Sequence, residues 1–256
     1  MFVTHTHVDH NRGLRRVAET FHVRNYVHNG ILTGSGRVGA RWMVDHAGDF
    51  SPAVTLTAVK STDIGPNGLT NDRIDPPLPC AGVDPKIRVL SGSWDENPGW
   101  NDGDFDNGNN HSLAIRVDYD RASFLFTGDL EDGAIDTLIE RYAGNRLLDT
   151  QVYAVGHHGS YNGTTPELLG AITPDIAVIS MGPSTVHAQW TAWAYGHPRK
   201  SAVTMLDDAI SRHRVGAGTC SSPPAPRPLR AIRCMTLSTR PAGTATFASM
   251  PGPTAI

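Results

Sequence analysis

Residues His5, His7, Asp9 and His10 place three imidazoles and a carboxylate within six positions, directly after the apolar run Met1-Phe2-Val3. In an extended segment alternate side chains share a face, so His5 and His7 point the same way and Asp9 and His10 fall on the turn that follows. Imidazole and carboxylate donors together suit zinc, with manganese and iron as alternatives. A surface turn that happens to be rich in histidine is the competing reading. The density of H-x-H-x-D-H disfavours it.

Four further segments carry chemistry, and each follows an apolar stretch. They are Asn109-Asn110-His111-Ser112, Thr127-Gly128-Asp129, Gly156-His157-His158-Gly159-Ser160 and Gly196-His197-Pro198. Asp129 beside a glycine at a strand end is well placed to enter a crowded site. His22, His28 and His46 have no donor-rich company and read as structural or surface histidines. Asp102, Asp104 and Asp106 have half the spacing of a calcium loop, but Asn107 stands where glycine is expected and no Glu closes it, so the segment reads as a solvated loop.

The elements that must position these residues alternate between strand and helix patterns. Leu14, Val17, Ala18 and Phe21 repeat at helical spacing, and 23–27 and 54–59 read as strands around a helix at 38–46. Residues 63–84 are an irregular excursion, 86–90 a strand and 91–110 a polar loop. Leu113, Ile115 and Val117 alternate, turn at Asp118–Arg121 and return through 123–127 as a hairpin. A helix follows with Ile135, Leu138, Ile139 and Tyr142 on one face. Strand 152–155, a helix opened by Thr165 and Pro166, strand 175–180 and a helix at 199–212 complete the α/β pattern. Residues 213–230 read as a flexible connection, and 232–239 with 244–248 as a closing hairpin, all within a single domain 1–256.

Composition sets limits. In 256 residues only 18% are charged, the formal net charge is −3, and 26 Gly and 18 Pro favour a loop-rich α/β protein. No global basic field marks a nucleic-acid binder, although Arg12, Arg15, Arg16, Arg24, Arg37 and Arg41 could form a local patch. No apolar run approaches the ~20 residues of a membrane span. Cys80, Cys220 and Cys234 lack metal-binding spacing. Cys220 and Cys234 could pair in an oxidising compartment or stay free in a reducing one. No protein partner is evident.

In order, these motifs resemble the metallo-β-lactamase superfamily, and more narrowly the hydrolase domain of ComEC/Rec2-type DNA-uptake proteins. The resemblance implies an αββα sandwich and a dinuclear site, with zinc as the default metal at two per chain. His5, His7 and His111 would hold one ion. Asp9, His10 and His157 would hold the other, His157 being preferred to His158 because it follows the strand directly. Asp129 would bridge them. His158, Ser160 and Asn110 would then face substrate, and Asp9 and His197 would join the chemistry. A hydroxide held by two metals hydrolysing phosphoester or phosphodiester bonds, in nucleic acid or a phosphorylated small molecule, is the leading activity. Lactone, β-lactam or thioester hydrolysis and a non-catalytic metal-binding remnant are the alternatives.

In that family several strands precede the metal motif, whereas here Met1 stands four residues before His5. The expectation is a sequence short at its N-terminus, with opening strands encoded upstream. A leader would be hidden with them, leaving localisation open between cytoplasm by default and secretion.

Overall fold

The structure is a computed structural model. It describes residues 1–77, 82, 84–183, 185–210, 218–220 and 232–234. The chain divides into two units, Met1–Ser211 and Arg212–Ile256.

The first unit opens with β1 (Phe2–Val3), α1 (Val8–Asn11), α2 (Leu14–Thr20), β2 (Asn25–His28), α3 (Arg37–His46) and β3 (Thr55–Ala58). β1, β2 and β3 are parallel neighbours, as the helical crossovers between them require. Then come β4 (Lys86–Ser91), α4 (Asp102–Phe105), β5 (Ala114–Tyr119), β6 (Ala122–Phe126), α5 (Asp132–Arg141) and β7 (Val152–Ala154). α6 (Pro166–Ile172), β8 (Ile176–Val178), α7 (Ala192–Tyr195) and α8 (Lys200–Ala209) finish the unit. Strands β4 to β8 form a second sheet in sequence order, antiparallel through the β5–β6 hairpin and parallel from β6 to β8.

Three apolar clusters fill the spaces between the layers. Val3, Leu14, Ala18, Tyr26 and Met43 pack α2 and α3 on the first sheet. Val27, Val59, Val89, Leu113 and Ile115 lie between the sheets. Leu90, Leu125, Ile135, Leu138, Tyr153, Leu168 and Leu206 pack the second sheet on α5, α6 and α8. Consecutive residues serve different clusters because strand side chains alternate: Tyr26 faces helices and Val27 the other sheet, as Leu90 and Val89 do on β4. The result is the αββα sandwich, with two sheets face to face and helices outside.

Local chemistry explains the boundaries. Tyr119 pairs with Ala122, so the hairpin turns on two residues, and Asp120 takes a φ of 51° at the first. Thr165 caps α6 by accepting from the Leu168 N–H at 3.1 Å, with Pro166 in the first turn. Asp102 and Asp104 sit in the short helix α4, not in an open cation loop. His28 is buried and stacks on Tyr26, and His46 bonds the Trp42 carbonyl, both structural roles.

In the second unit β9 (Gly218–Cys220) pairs antiparallel with β10 (Ile232–Cys234). β9 falls within the stretch 213–230 that was expected to be a connection, and of the expected hairpin 232–239 with 244–248 all but 232–234 lies outside the described residues. Cys220 stands opposite Ile232 and Cys234 opposite Gly218, so the two cysteines are not cross-strand partners. Cys80 lies outside the described residues.

Candidate metal centre

Three strand ends meet at one point. β1 ends at Val3, and the Thr4 carbonyl accepts from the Leu113 N–H at 2.9 Å, tying the first motif to the second sheet. α1 then starts at Val8, so Asp9 and His10 lie in a helical turn. β6 ends at Phe126 and delivers Asp129 through Gly128, whose φ is 57° and where a Cβ would fall 2.8 Å from Ser112 and 2.9 Å from Thr4. Only glycine fits that approach. β7 ends at Ala154 and leads into a 3-10 turn at Gly156–Gly159. His157 and His158 both adopt left-handed backbone there, with φ of 47° and 53°.

Asp129 Oδ2 is the hub. It lies 3.1 Å from His10 Nε2, 3.5 Å from His158 Nε2 and 3.8 Å from His5 Nε2. Asp9 Oδ2 is 3.1 Å from His158 Nε2 and 3.7 Å from His10 Nε2, and those two nitrogens are 3.2 Å apart. One donor atom from each of Asp9, His10, Asp129 and His158 falls within a 4.8 Å group. Ligands about 2.0–2.2 Å from a tetrahedral zinc are about 3.3–3.6 Å from one another, so these separations match a metal's ligand shell.

The far side of each ring supports the same reading. His158 Nδ1 donates to the Ser180 carbonyl at 2.8 Å, which fixes the ring with Nε2 turned to the donor group. His5 Nδ1 lies 3.2 Å from the Thr4 hydroxyl, and His10 Nδ1 3.4 Å from the same oxygen. His5 Nε2 is buried with no hydrogen-bond partner. An orphaned nitrogen aimed at a shared carboxylate is what a bound cation would satisfy. The His7 ring meets His5 edge-on at 4.7 Å and lines the same cavity. The residues therefore fit a metal.

The protonation tendencies agree. Burial lowers the His5 pKa to about 3, so that imidazole stays neutral. Burial would raise Asp129, but the His10 hydrogen bond and the nearby histidines hold it well below the usual carboxylate range. Burial likewise opposes ionisation of Asp9, yet the His158 hydrogen bond and the His10 charge bring it to about 2. The same Asp9 contact raises His158 to about 9, so a metal ion must displace a proton there.

A family model described as the metallo-beta-lactamase superfamily matches residues 1–182. This chain belongs to the metallo-β-lactamase superfamily. Members of this superfamily are generally hydrolases and usually bind metal ions. The chain is also 32% identical over 103 residues to competence protein ComA of Neisseria gonorrhoeae, covering 40% of this chain and 15% of that protein. It is 37% identical over 89 residues to recombination protein 2 of Haemophilus influenzae, covering 35% of this chain and 10% of the relative. The uncharacterized protein YcaI of Escherichia coli is 31% identical over 91 residues, covering 36% and 11%. The matched stretch is thus a small part of each relative's length.

Within this metallo-β-lactamase framework five residues depart from expectation. His158, not His157, joins the donor group. The left-handed turn sends His157 towards Glu131, with Nδ1 3.4 Å from Oε1 but no hydrogen-bond alignment. His111 is buried with both ring nitrogens in use: Nδ1 accepts from the Trp94 N–H at 3.1 Å, and Nε2 donates to the Phe105 carbonyl at 2.7 Å. No lone pair is left for a metal. Asn110 is buried between the Asp104 carbonyl at 3.0 Å and the Glu131 N–H at 2.8 Å. Ser160 is buried. Neither residue is among those lining the cavity.

His197 does line the cavity, with its ring 5.7 Å from His157 and stacked on Tyr195. Burial lowers its pKa to about 4. Glu131 and Asn109 went unrecognised in the sequence. Asn109 donates to Glu131 Oε1 at 2.8 Å and lines the cavity. Its place beside Asn110 in the second motif was the available signal.

His111→Ala tests this reassignment. It should cost about 2–4 kcal/mol by leaving the Trp94 and Phe105 backbone groups unpaired, while metal content stays unchanged. Denaturant unfolding beside elemental analysis would measure both. Loss of a metal ion at unchanged stability would restore His111 as a ligand.

Proposed function

We propose that the chain hydrolyses phosphoester bonds, phosphodiesters foremost, with two divalent transition-metal ions, zinc by default and manganese or iron as alternatives. The observation that carries this is the convergence of Asp9, His10, Asp129 and His158, with the orphaned His5 Nε2 beside the same Asp129 oxygen. Asp9, His10, His158 and Asp129 would hold one ion. His5, His7 and Asp129 would hold the other, a three-ligand set of the kind catalytic zinc sites use. Bound there, the pair would bring the pKa of water towards ~7 and stabilise charge on both the attacking and leaving oxygens.

The protein's own groups divide the remaining work. The Ser180 carbonyl and the Thr4 hydroxyl orient the imidazoles. The Asp9 side chain, 55% exposed, is the carboxylate open to the cavity, and its Oδ1 would accept a hydrogen bond from the attacking water and orient it. His197, on the cavity wall, would donate to a phosphate or leaving-group oxygen.

Relatives named for competence and recombination bring phosphodiesters of nucleotides into the substrate range, while the described cavity lining supplies no Lys or Arg to follow a long nucleic-acid backbone. The test combines elemental analysis with turnover of bis-p-nitrophenyl phosphate, nitrocefin and a lactone panel. Two metal ions per chain and dominant phosphodiester turnover are expected. A metal-free protein, or lactam or lactone turnover exceeding that of the phosphodiester, would overturn the assignment.

A further inference from the structure

Part of the metal-centre cavity is lined by residues that neither a metal nor a phosphate needs. The cavity encloses about 1010 Å³. Beside the donors it is lined by Met181, Pro183, Val186, Trp190, Ala192 and Tyr195. Trp190 is 75% exposed, and Val186 and Tyr195 are each 45% exposed. Large apolar side chains left open beside a polar reaction centre mark a surface that something else covers.

The loop holds Trp190 in place. Its φ is 64°, a conformation that a bulky residue adopts only where its surroundings impose it. The next residue supplies the constraint: the Thr191 hydroxyl lies 2.7 Å from the Ala188 carbonyl and 3.0 Å from that of Val186. It also accepts from the Ala194 N–H at 3.4 Å, capping α7. From Trp190 the rings run on without a break. Tyr195 is 6.3 Å away, His197 stacks on Tyr195 at 5.7 Å, and the ligand His158 is 6.5 Å beyond His197.

Charge narrows the occupant. No Lys or Arg is among the described residues lining the cavity. A groove that follows a nucleic-acid backbone carries cations along its length, and none is supplied here. The phosphate would be met by the metal centre and the rest of the ligand by flat apolar surface.

We propose that this wall is a subsite for one planar aromatic group, a nucleobase or an aryl ring, carried by the phosphoester bound at the metal centre. The proposal rests on the phosphoester reading above, and it names Trp190 and Tyr195 as specificity residues. Stacking on an aromatic side chain tolerates any base, so no sequence preference is expected.

The experiment is calorimetric binding of thymidine 5′-monophosphate, phenyl phosphate and methyl phosphate to the metal-loaded protein and its variants. Trp190→Ala should weaken both aromatic ligands about tenfold and leave methyl phosphate unchanged, with Trp190→Phe restoring most of the affinity. Because Trp190 is exposed, the melting temperature should not move. Tyr195→Ala should act in the same direction. A loss confined to thymidine 5′-monophosphate would assign the wall to nucleobases, and an equal loss with phenyl phosphate would assign it to aromatic groups at large. Unchanged affinity in both Trp190 variants, or an equal loss for methyl phosphate, would overturn the subsite. Ring-dependent binding by a protein that hydrolyses no phosphoester would keep the subsite and overturn the catalytic reading instead.

Discussion

Asp129→Ala is expected to remove metal binding and to lower phosphodiester turnover on the order of 10³-fold or more. The carboxylate lies within reach of His5, His10 and His158 together, at 3.8, 3.1 and 3.5 Å. Two dications held close need shared anionic charge, and losing it forfeits several kcal/mol of transition-state stabilisation. Asp129→Asn keeps the shape and the Gly128 approach while removing the charge, so it should behave like the alanine variant. The loss should exceed that of His158→Ala. Elemental analysis beside initial rates is the measurement, and a variant that keeps both ions would show that Asp129 is not the bridge.

The second large effect separates two adjacent histidines. His158→Ala should release one of the two ions and cost on the order of 10²-fold or more in turnover, since His158 Nε2 lies within 3.5 Å of three other donors. His157→Ala should keep both ions and cost about tenfold, the effect of a residue beside the ligand set. The wild-type and the two variants, titrated with a coloured chelator after unfolding, give the stoichiometry directly. The reverse pattern, with an ion lost from the His157 variant alone, would return the ligand position to His157.

Much of this arrangement was legible in the sequence. The alternation of strand and helix patterns yielded an α/β layered fold, because burying one face of each element leaves a period that single residues reveal, and the αββα order came from the family resemblance. The H-x-H-x-D-H cluster and Asp129 were legible because imidazoles and carboxylates crowded at strand ends lose their hydration, and a shared cation is what restores partners to all of them. The choice between His157 and His158 was not legible. It depends on the sign of φ at two consecutive non-glycine residues, and residue order does not encode which ring a left-handed turn sends inward. His111 misled for another reason. Its position matched a ligand, but its partners are backbone groups of Trp94 and Phe105 in a polar loop without periodicity. Asn110 was caught in the same loop. The apolar wall was invisible because Trp190 and Tyr195 gain meaning only where the chain folds back beside Asp9 and His158.

The donors also have a consequence for the life of the protein in a cell. His10 and His158 are 148 residues apart in sequence, and Asp129 enters from a third strand end. An ion held by all three would be a long-range staple between sheets that a chelator could withdraw. A ligand that binds the folded state alone adds about 4.1 kcal/mol when present at a thousand times its dissociation constant, a large share of the ~5–15 kcal/mol that keeps a domain folded. Starved of metal, the chain would open more often and be cleared faster by proteases. Its abundance would then follow the local supply of the ion, making protein turnover a readout of metal availability.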